Sequence, residues 1–261
     1  MSKIAEAFKK HPKAFIPFIT SGDPDLETTK KLVLAMAEAG AAIVELGIPF
    51  SDPVAEGLVI QEADTRALKN GCTTDKIFTM IKEIRQVSNV PLVFLTYINP
   101  IFTYGVDKFY AQCQAAGVDG TIVPDVPFEE KGEILGACQK YGVDLISLIA
   151  PTSDDRIQMI AKEAQGYIYI VSSLGVTGVR REITTDIGAM VEKIREVSKV
   201  PCAVGFGIAT PEQATKMATL SDGAIVGSAI VKLCTQYGRE CVEPVKAYVS
   251  KMVRAVESCA G

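Results

Sequence analysis

Histidine is nearly absent from this chain: among 261 residues there is one, His11, placed just before Pro12. That scarcity excludes HExxH zinc sites and three-histidine metal sites within one chain. A Ser-His-Asp triad would need His11, which has no nucleophile signature to serve; it reads as a turn residue. No CxxC pair occurs among the seven cysteines (Cys72, Cys113, Cys138, Cys202, Cys234, Cys241 and Cys259), so zinc and dithiol redox motifs are missing too. Their odd number and long gaps point to reduced thiols packed as small hydrophobes, with the cytoplasm as the expected location. Basic clusters are scarce; the densest is Val179-Arg-Arg181, and the formal net charge is −4, which argues against a nucleic-acid binder. No apolar run is long enough to span a membrane, and the start, Ser2 to Lys10, has no core for a signal peptide and reads as a short amphipathic helix.

What is present is ample material for a core, at 48% apolar and 22% charged residues. Eight short apolar segments recur, bounded by Gly, Pro or Asp: Phe15–Thr20, Ala42–Leu46, Pro91–Tyr97, Gly120–Asp125, Asp144–Pro151, Tyr167–Ser173, Pro201–Gly207 and Gly223–Ser228. Helical patterns lie between them, several stopping at a glycine suited to a C-cap, as at Gly40, Gly117 and Gly142. Eight strands alternating with helices predict parallel right-handed crossovers and a closed (β/α)8 TIM barrel, an α/β fold, with an extra N-terminal helix and residues 1–261 as one domain. An open doubly wound sheet is the alternative; the G-x-G-x-x-G fingerprint is missing after the first strand. The longest loops follow strands two (Ser51–Gly57) and six (Gly175–Glu182), where barrels place active-site covers.

A parallel barrel works at the C-terminal ends of its strands. Strand two ends at Glu45, a carboxylate costly to bury unless paired or used, and the following loop carries Asp52 and Glu56. One buried acid and one loop acid would serve as acid and base at one pH; a capping Glu beside a solvated acidic loop is the bland reading of the same residues. Gly178, Gly205, Gly207, Gly227 and Ser228 gather in the last three strand-to-helix loops, and Gly227-Ser228 opens a helix. Backbone N–H groups without bulky side chains, beside a helix N-terminus, suit a phosphate. Phe18, Leu95, Ile122, Leu148 and Tyr169 are candidate walls of an apolar mouth. No strand carries a lysine, which excludes a Schiff-base aldolase, and the scattered acids make a poor metal site. Metal-free carboxylate chemistry on a phosphorylated, apolar-headed substrate remains.

End to end, the chain resembles the tryptophan synthase alpha chain family. The matching motifs are Pro17-Phe-Ile-Thr-Ser-Gly-Asp-Pro24, Glu45-Leu-Gly-Ile-Pro-Phe-Ser-Asp-Pro53, Val123-Pro-Asp-Val-Pro127, Ser172-Ser-Leu-Gly-Val-Thr-Gly178, Val204-Gly-Phe-Gly-Ile208 and Gly227-Ser-Ala-Ile-Val231. The resemblance implies a lyase that cleaves indole-3-glycerol phosphate to indole and glyceraldehyde 3-phosphate. It implies that Glu45 shuttles protons and that Glu56 accepts from the indole N–H. It makes Phe18, Leu95, Ile122, Leu148, Tyr169 and Thr177 the indole pocket, and Gly178, Gly207, Gly227 and Ser228 the phosphate site. It further implies an α2β2 assembly with a beta chain that docks near Asp52, Pro53, Asn99 and Pro127 and holds the pyridoxal phosphate, this chain holding no cofactor. Two positions depart from the family: Glu56, one methylene longer than the usual Asp, and Leu58 in place of Pro.

Overall fold

The computed structural model describes residues 2–172, 186–205 and 207–259. All strand pairings are parallel, and the sheet runs β5-β4-β3-β2-β1-β9-β8-β7-β6. Its strands are β1 (Ala14–Thr20), β2 (Val44–Gly47), β3 (Leu92–Leu95), β4 (Gly120–Ile122), β5 (Asp144–Leu145), β6 (Ser147–Ile149), β7 (Ile168–Val171), β8 (Cys202–Gly205) and β9 (Gly223–Val226). The two ends of that order, β5 and β6, are consecutive pieces of one stretch of chain. Residues 144–146 pair with β4 and residues 147–149 with β7, so the stretch closes the sheet on itself. The eight predicted segments are thus the eight staves of a closed barrel.

Period-two alternation decides what lies inside. On β2, Val44 and Leu46 face the outer helices while Glu45, like Ile43 just before the strand, faces the barrel interior. On β7, Ile168 and Ile170 face out, and Tyr169, like Tyr167 just before the strand, faces in. Beside these rings the neighbouring β8 turns only Ala203 and Gly205 inward. A Cβ on Gly205 would overlap the Tyr169 hydroxyl, so a bare backbone there makes room for the ring. The helix Lys3–Lys10, capped by the Ser2 hydroxyl, inserts Ile4, Ala7 and Phe8 into the lower end of the interior cluster. Phe8 packs on Tyr167 with ring centroids 5.9 Å apart. Each such apolar side chain contributes about 1.5–3 kcal/mol when fully buried.

The helix stops fall where glycine was read as a C-cap: Gly117 and Gly142 are left-handed, at φ +86° and +66°. Some elements escaped the sequence reading. The long gap after β2 holds two helices, Leu58–Lys69 and Thr74–Arg85, where one was expected. Strand three stops at Leu95, short of the expected Tyr97, and Ile98–Tyr104 is helical, so Asn99 is a helix residue. Asp125 lies beyond β4, and its carboxylate accepts the Ile98 N–H at 3.0 Å, capping that short helix.

Candidate active site

At the mouth, Phe18, Glu45 and Val93 lie in register on β1, β2 and β3. The Glu45 side chain is 1% exposed. Tyr167, across the barrel, donates its hydroxyl to Glu45 Oε1 at 2.6 Å. Burial pushes the Glu45 carboxyl up to about 8; the tyrosine bond works against that rise and the charge of Glu56 adds to it. Burial thus holds Glu45 toward its neutral, proton-bearing form.

Glu56 departs from expectation. It sits on the loop after β2, yet it is only 3% exposed, so the two acids do not differ as buried against solvated. The loop folds inward because it is pinned on several sides. The Glu56 N–H closes a turn on the Pro53 carbonyl at 3.0 Å, the Ala55 N–H bonds the Tyr97 hydroxyl at 3.0 Å, and Gln61 Nε2 bonds the Glu56 carbonyl at 2.7 Å. Phe50 lies against Tyr97, with centroids 5.4 Å apart. The charge of Glu56 acts on Glu45, Asp64, Tyr97 and Tyr169, raising the value of each.

The candidate pocket walls come together. Ile122 and Tyr169 belong to the interior cluster, with Leu95 and Leu148 packed against it, and Leu95 also reaches the cluster around Phe18. The Phe18 ring lies between two glycines: a Cβ on Gly47 would come 2.8 Å from its Cζ, and one on Gly227 would come 3.1 Å from its Cδ1. Gly227 caps the helix Ser228–Tyr237, whose first residue, Ser228, is buried. Gly207, at φ +86°, occupies the neighbouring turn after β8. Glycine backbone and a helix N-terminus thus meet beside Phe18, an arrangement that favours a dianion. Thr177 and Gly178 lie outside the described residues.

Of the positions read as a partner face, Asp52, Asn99 and Pro127 are exposed, whereas Pro53 is buried beneath the turn that its carbonyl closes. Its neighbour Val54 is 73% exposed, and Leu58, the first residue of its helix, 74%. Among the described residues no three His, Cys, Asp or Glu side chains gather as metal ligands.

Sequence reasoning missed two site residues. Tyr167 was read only as the start of a strand; the Tyr167-Ile-Tyr169 alternation shows it sharing the inward face of Tyr169. Asp64 lies on Leu58–Lys69 in the buried series Ile60, Ala63, Asp64, Ala67, a helical spacing that marks it as facing inward. It is 5% exposed, and burial pushes its carboxyl up to about 8.

Fold and mouth define a class: an α/β-barrel enzyme with buried carboxylates beside a glycine-lined helix N-terminus. A family model described as tryptophan synthase alpha chain matches residues 4–257. The alpha chain of Lacticaseibacillus casei is 49% identical over 258 residues, covering 99% of this chain and 97% of that protein. The crystal structure of the Legionella pneumophila alpha chain superposes with a TM-score of 0.88 at 36% identity, covering 99% of this chain and 98% of that one. A chain of the tryptophan synthase complex from Pyrococcus furiosus gives a TM-score of 0.85 at 37% identity, covering 92% and 98%. The chain belongs to the tryptophan synthase alpha chain family. It is a lyase of tryptophan biosynthesis that cleaves indole-3-glycerol phosphate to indole and glyceraldehyde 3-phosphate.

Proposed function

We propose that Glu45 and Glu56 carry the acid–base chemistry of this cleavage, Glu45 moving the proton and Glu56 holding the charge that develops on the indole ring. The observation that carries this reading is Glu45 itself: a carboxyl at the barrel mouth, turned inward, held through one oxygen by Tyr167, and kept neutral near pH 7 by burial. A neutral Glu45 protonates the indole C3 carbon that bears the glycerol phosphate. Positive charge then spreads to the ring nitrogen, whose N–H donates to the Glu56 carboxylate. Glu45, now a carboxylate, takes the proton of the side-chain hydroxyl next to C3. The carbon–carbon bond breaks, its electrons restore the aromatic indole, and the hydroxyl carbon becomes the aldehyde of glyceraldehyde 3-phosphate. Glu45 ends as it began, protonated, so one residue is acid and then base within a turnover.

Phe18, Leu95, Ile122, Leu148 and Tyr169 form the apolar slot for the indole in this reading, with Thr177 completing it. Gly207, Gly227 and Ser228 take the phosphate together with Gly178. Anchoring both ends of the substrate places C3 against Glu45, and such positioning is worth orders of magnitude in rate. Glu56 has a longer side chain than the family's usual Asp, and burial of its loop keeps the carboxylate at the mouth. The same end of the barrel is the docking face for a beta chain in an α2β2 assembly, with pyridoxal phosphate held by that partner and the complex in the cytoplasm. Exposed Val54, Leu58 and Phe102 near Asp52 and Asn99 support that placement.

The test is indole release from indole-3-glycerol phosphate by the purified chain, alone and with a beta chain. Glu45→Gln is expected to lower kcat at least about a hundredfold in both conditions, as loss of a general acid–base group does. Wild-type turnover by that variant would overturn the assignment. No release by the wild-type chain in either condition would favour a subunit that only activates its partner.

A further inference from the structure

The mechanism leaves two buried carboxyls unused: Asp23, which pairs with Arg66, and Asp64. Asp64 lies one helical turn beyond Ile60, on the helix that follows the acid loop, and it touches two parts of the mouth. Its Oδ1 accepts the Thr20 hydroxyl at the end of β1 at 3.4 Å, and its Oδ2 accepts the Phe50 N–H, where the acid loop begins, at 3.5 Å. Both bonds are long, as bonds around a catalytic group often are before substrate binds.

Among the described residues no cation answers its charge. Arg66, two residues on, is fully engaged elsewhere: its Nε and Nη2 grip Asp23 at 2.9 and 2.8 Å, and Nη2 also donates to Thr235 at 2.7 Å. Among the described residues Asp64 makes no ion pair. Among the described residues the titratable groups coupled to its charge are Asp23 beyond β1, Glu56 on the acid loop, Cys72 past the end of its helix, and Tyr97 beyond β3, all acids or neutral. An ionised Asp64 would thus add a second carboxylate within reach of the Glu56 charge, with no counter-ion among the described residues, which is costly in a buried site.

We propose that Asp64 is a positioning residue for Glu56: in its protonated form it ties the start of the acid loop to the end of β1 and turns its proton toward the Glu56 carboxylate. The inference rests on the reading of Glu56 as the group that faces the indole nitrogen. A neutral carboxyl accepts and donates at once, so it satisfies Thr20, Phe50 and a neighbouring carboxylate together. The proton also makes the arrangement sensitive to pH. Burial, and then the charges of Glu56 and Asp23, raise the Asp64 carboxyl to about 8, against the bonds from Phe50 and Thr20. Above that pH the tether becomes a charge that repels the carboxylate it had held.

The experiment is steady-state indole release, alone and with a beta chain, from pH 6 to 9 for wild type, Asp64→Asn, Asp64→Ala and Glu56→Gln. Asparagine accepts and donates as the neutral acid does but cannot ionise. Asp64→Ala should lower kcat about tenfold while KM changes less than about threefold, because loop placement is lost and the phosphate end is untouched. Asp64→Asn should recover most of that loss at pH 7, and its kcat relative to wild type should rise from pH 7 to 9 as the wild-type acid ionises. A ratio that stays flat across that range overturns the proposal, as does Asp64→Ala with wild-type kcat. If the alanine variant does not fold, the asparagine ratio alone decides. Glu56→Gln separates the two readings: wild-type turnover by that variant overturns the Glu56 assignment and the proposal with it. An inactive Glu56→Gln with a flat asparagine ratio overturns only the role of Asp64.

Discussion

At the scale of residues, the proposed chemistry rests on how water is kept from two acids. Glu45 and Asp64 both titrate near 8 because burial removes the solvent that would stabilise their charge. Tyr167 tempers this for Glu45, since its hydroxyl donates to the charged form as well as to the neutral one. Removing that donor in Tyr167→Phe leaves the carboxylate less stabilised, so the Glu45 carboxyl rises above about 8. In the proposed mechanism the reaction begins from neutral Glu45, so the alkaline limb of the kcat profile should move to higher pH in Tyr167→Phe. A pH–rate profile of wild type and variant checks this, and an unmoved limb would mean that the tyrosine does not act through Glu45.

At the scale of elements, small residues allow large ones. Strand β8 turns Ala203 and Gly205 inward so that β7 can turn in Tyr167 and Tyr169. Gly205→Ala puts a methyl group into the Tyr169 hydroxyl and forces the ring into the slot assigned to the indole. We expect a loss of about 1–3 kcal/mol in stability from the overpacking, together with a raised KM for the substrate, read by denaturant melts and steady-state kinetics. The helix Lys3–Lys10 makes a contrasting case. Ser2 caps it at the end of the barrel away from the mouth, so Ser2→Ala should cost about 1 kcal/mol in the same melts and leave kcat unchanged. The pair separates loss of stability from loss of the pocket.

At the scale of the whole molecule, two acids with raised folded-state values make stability depend on pH. In the unfolded chain Glu45 and Asp64 return to ordinary values of 4.5 and 3.8. Below those values both states are protonated and nothing is lost. As pH rises from about 4 to 8 the unfolded chain releases protons that the folded chain still holds, so these residues favour unfolding progressively, and the loss levels off above about 8. Glu45→Gln and Asp64→Asn remove that slope, so each variant should gain Tm over wild type at pH 8 and little at pH 4. Thermal melts at the two pH values test this. Equal shifts at both would show that neither acid carries the linkage. A gain in stability where activity falls is what an active-site group under tension predicts.

Much of the barrel was legible in the sequence, because its signals are local. Short Val- and Ile-rich runs, glycines at helix ends and the inward placement of Phe18, Leu95, Ile122, Leu148 and Tyr169 all follow from alternation or turn chemistry within a few residues. So does the chemical type of the site, a carboxylate at the end of strand two and glycines in the last loops. Closure of the sheet was decided only in three dimensions, through a stretch, 144–149, that pairs with β4 by one half and β7 by the other. The same holds for the burial of Glu56, which depends on Tyr97 and Gln61, and for the partner of Glu45, which lies 122 residues away. Residue type and local pattern determine which groups are offered to the mouth. Solvent exclusion and long-range contact determine which of them hold a proton at pH 7, because the cost of a charge is set by everything packed around it.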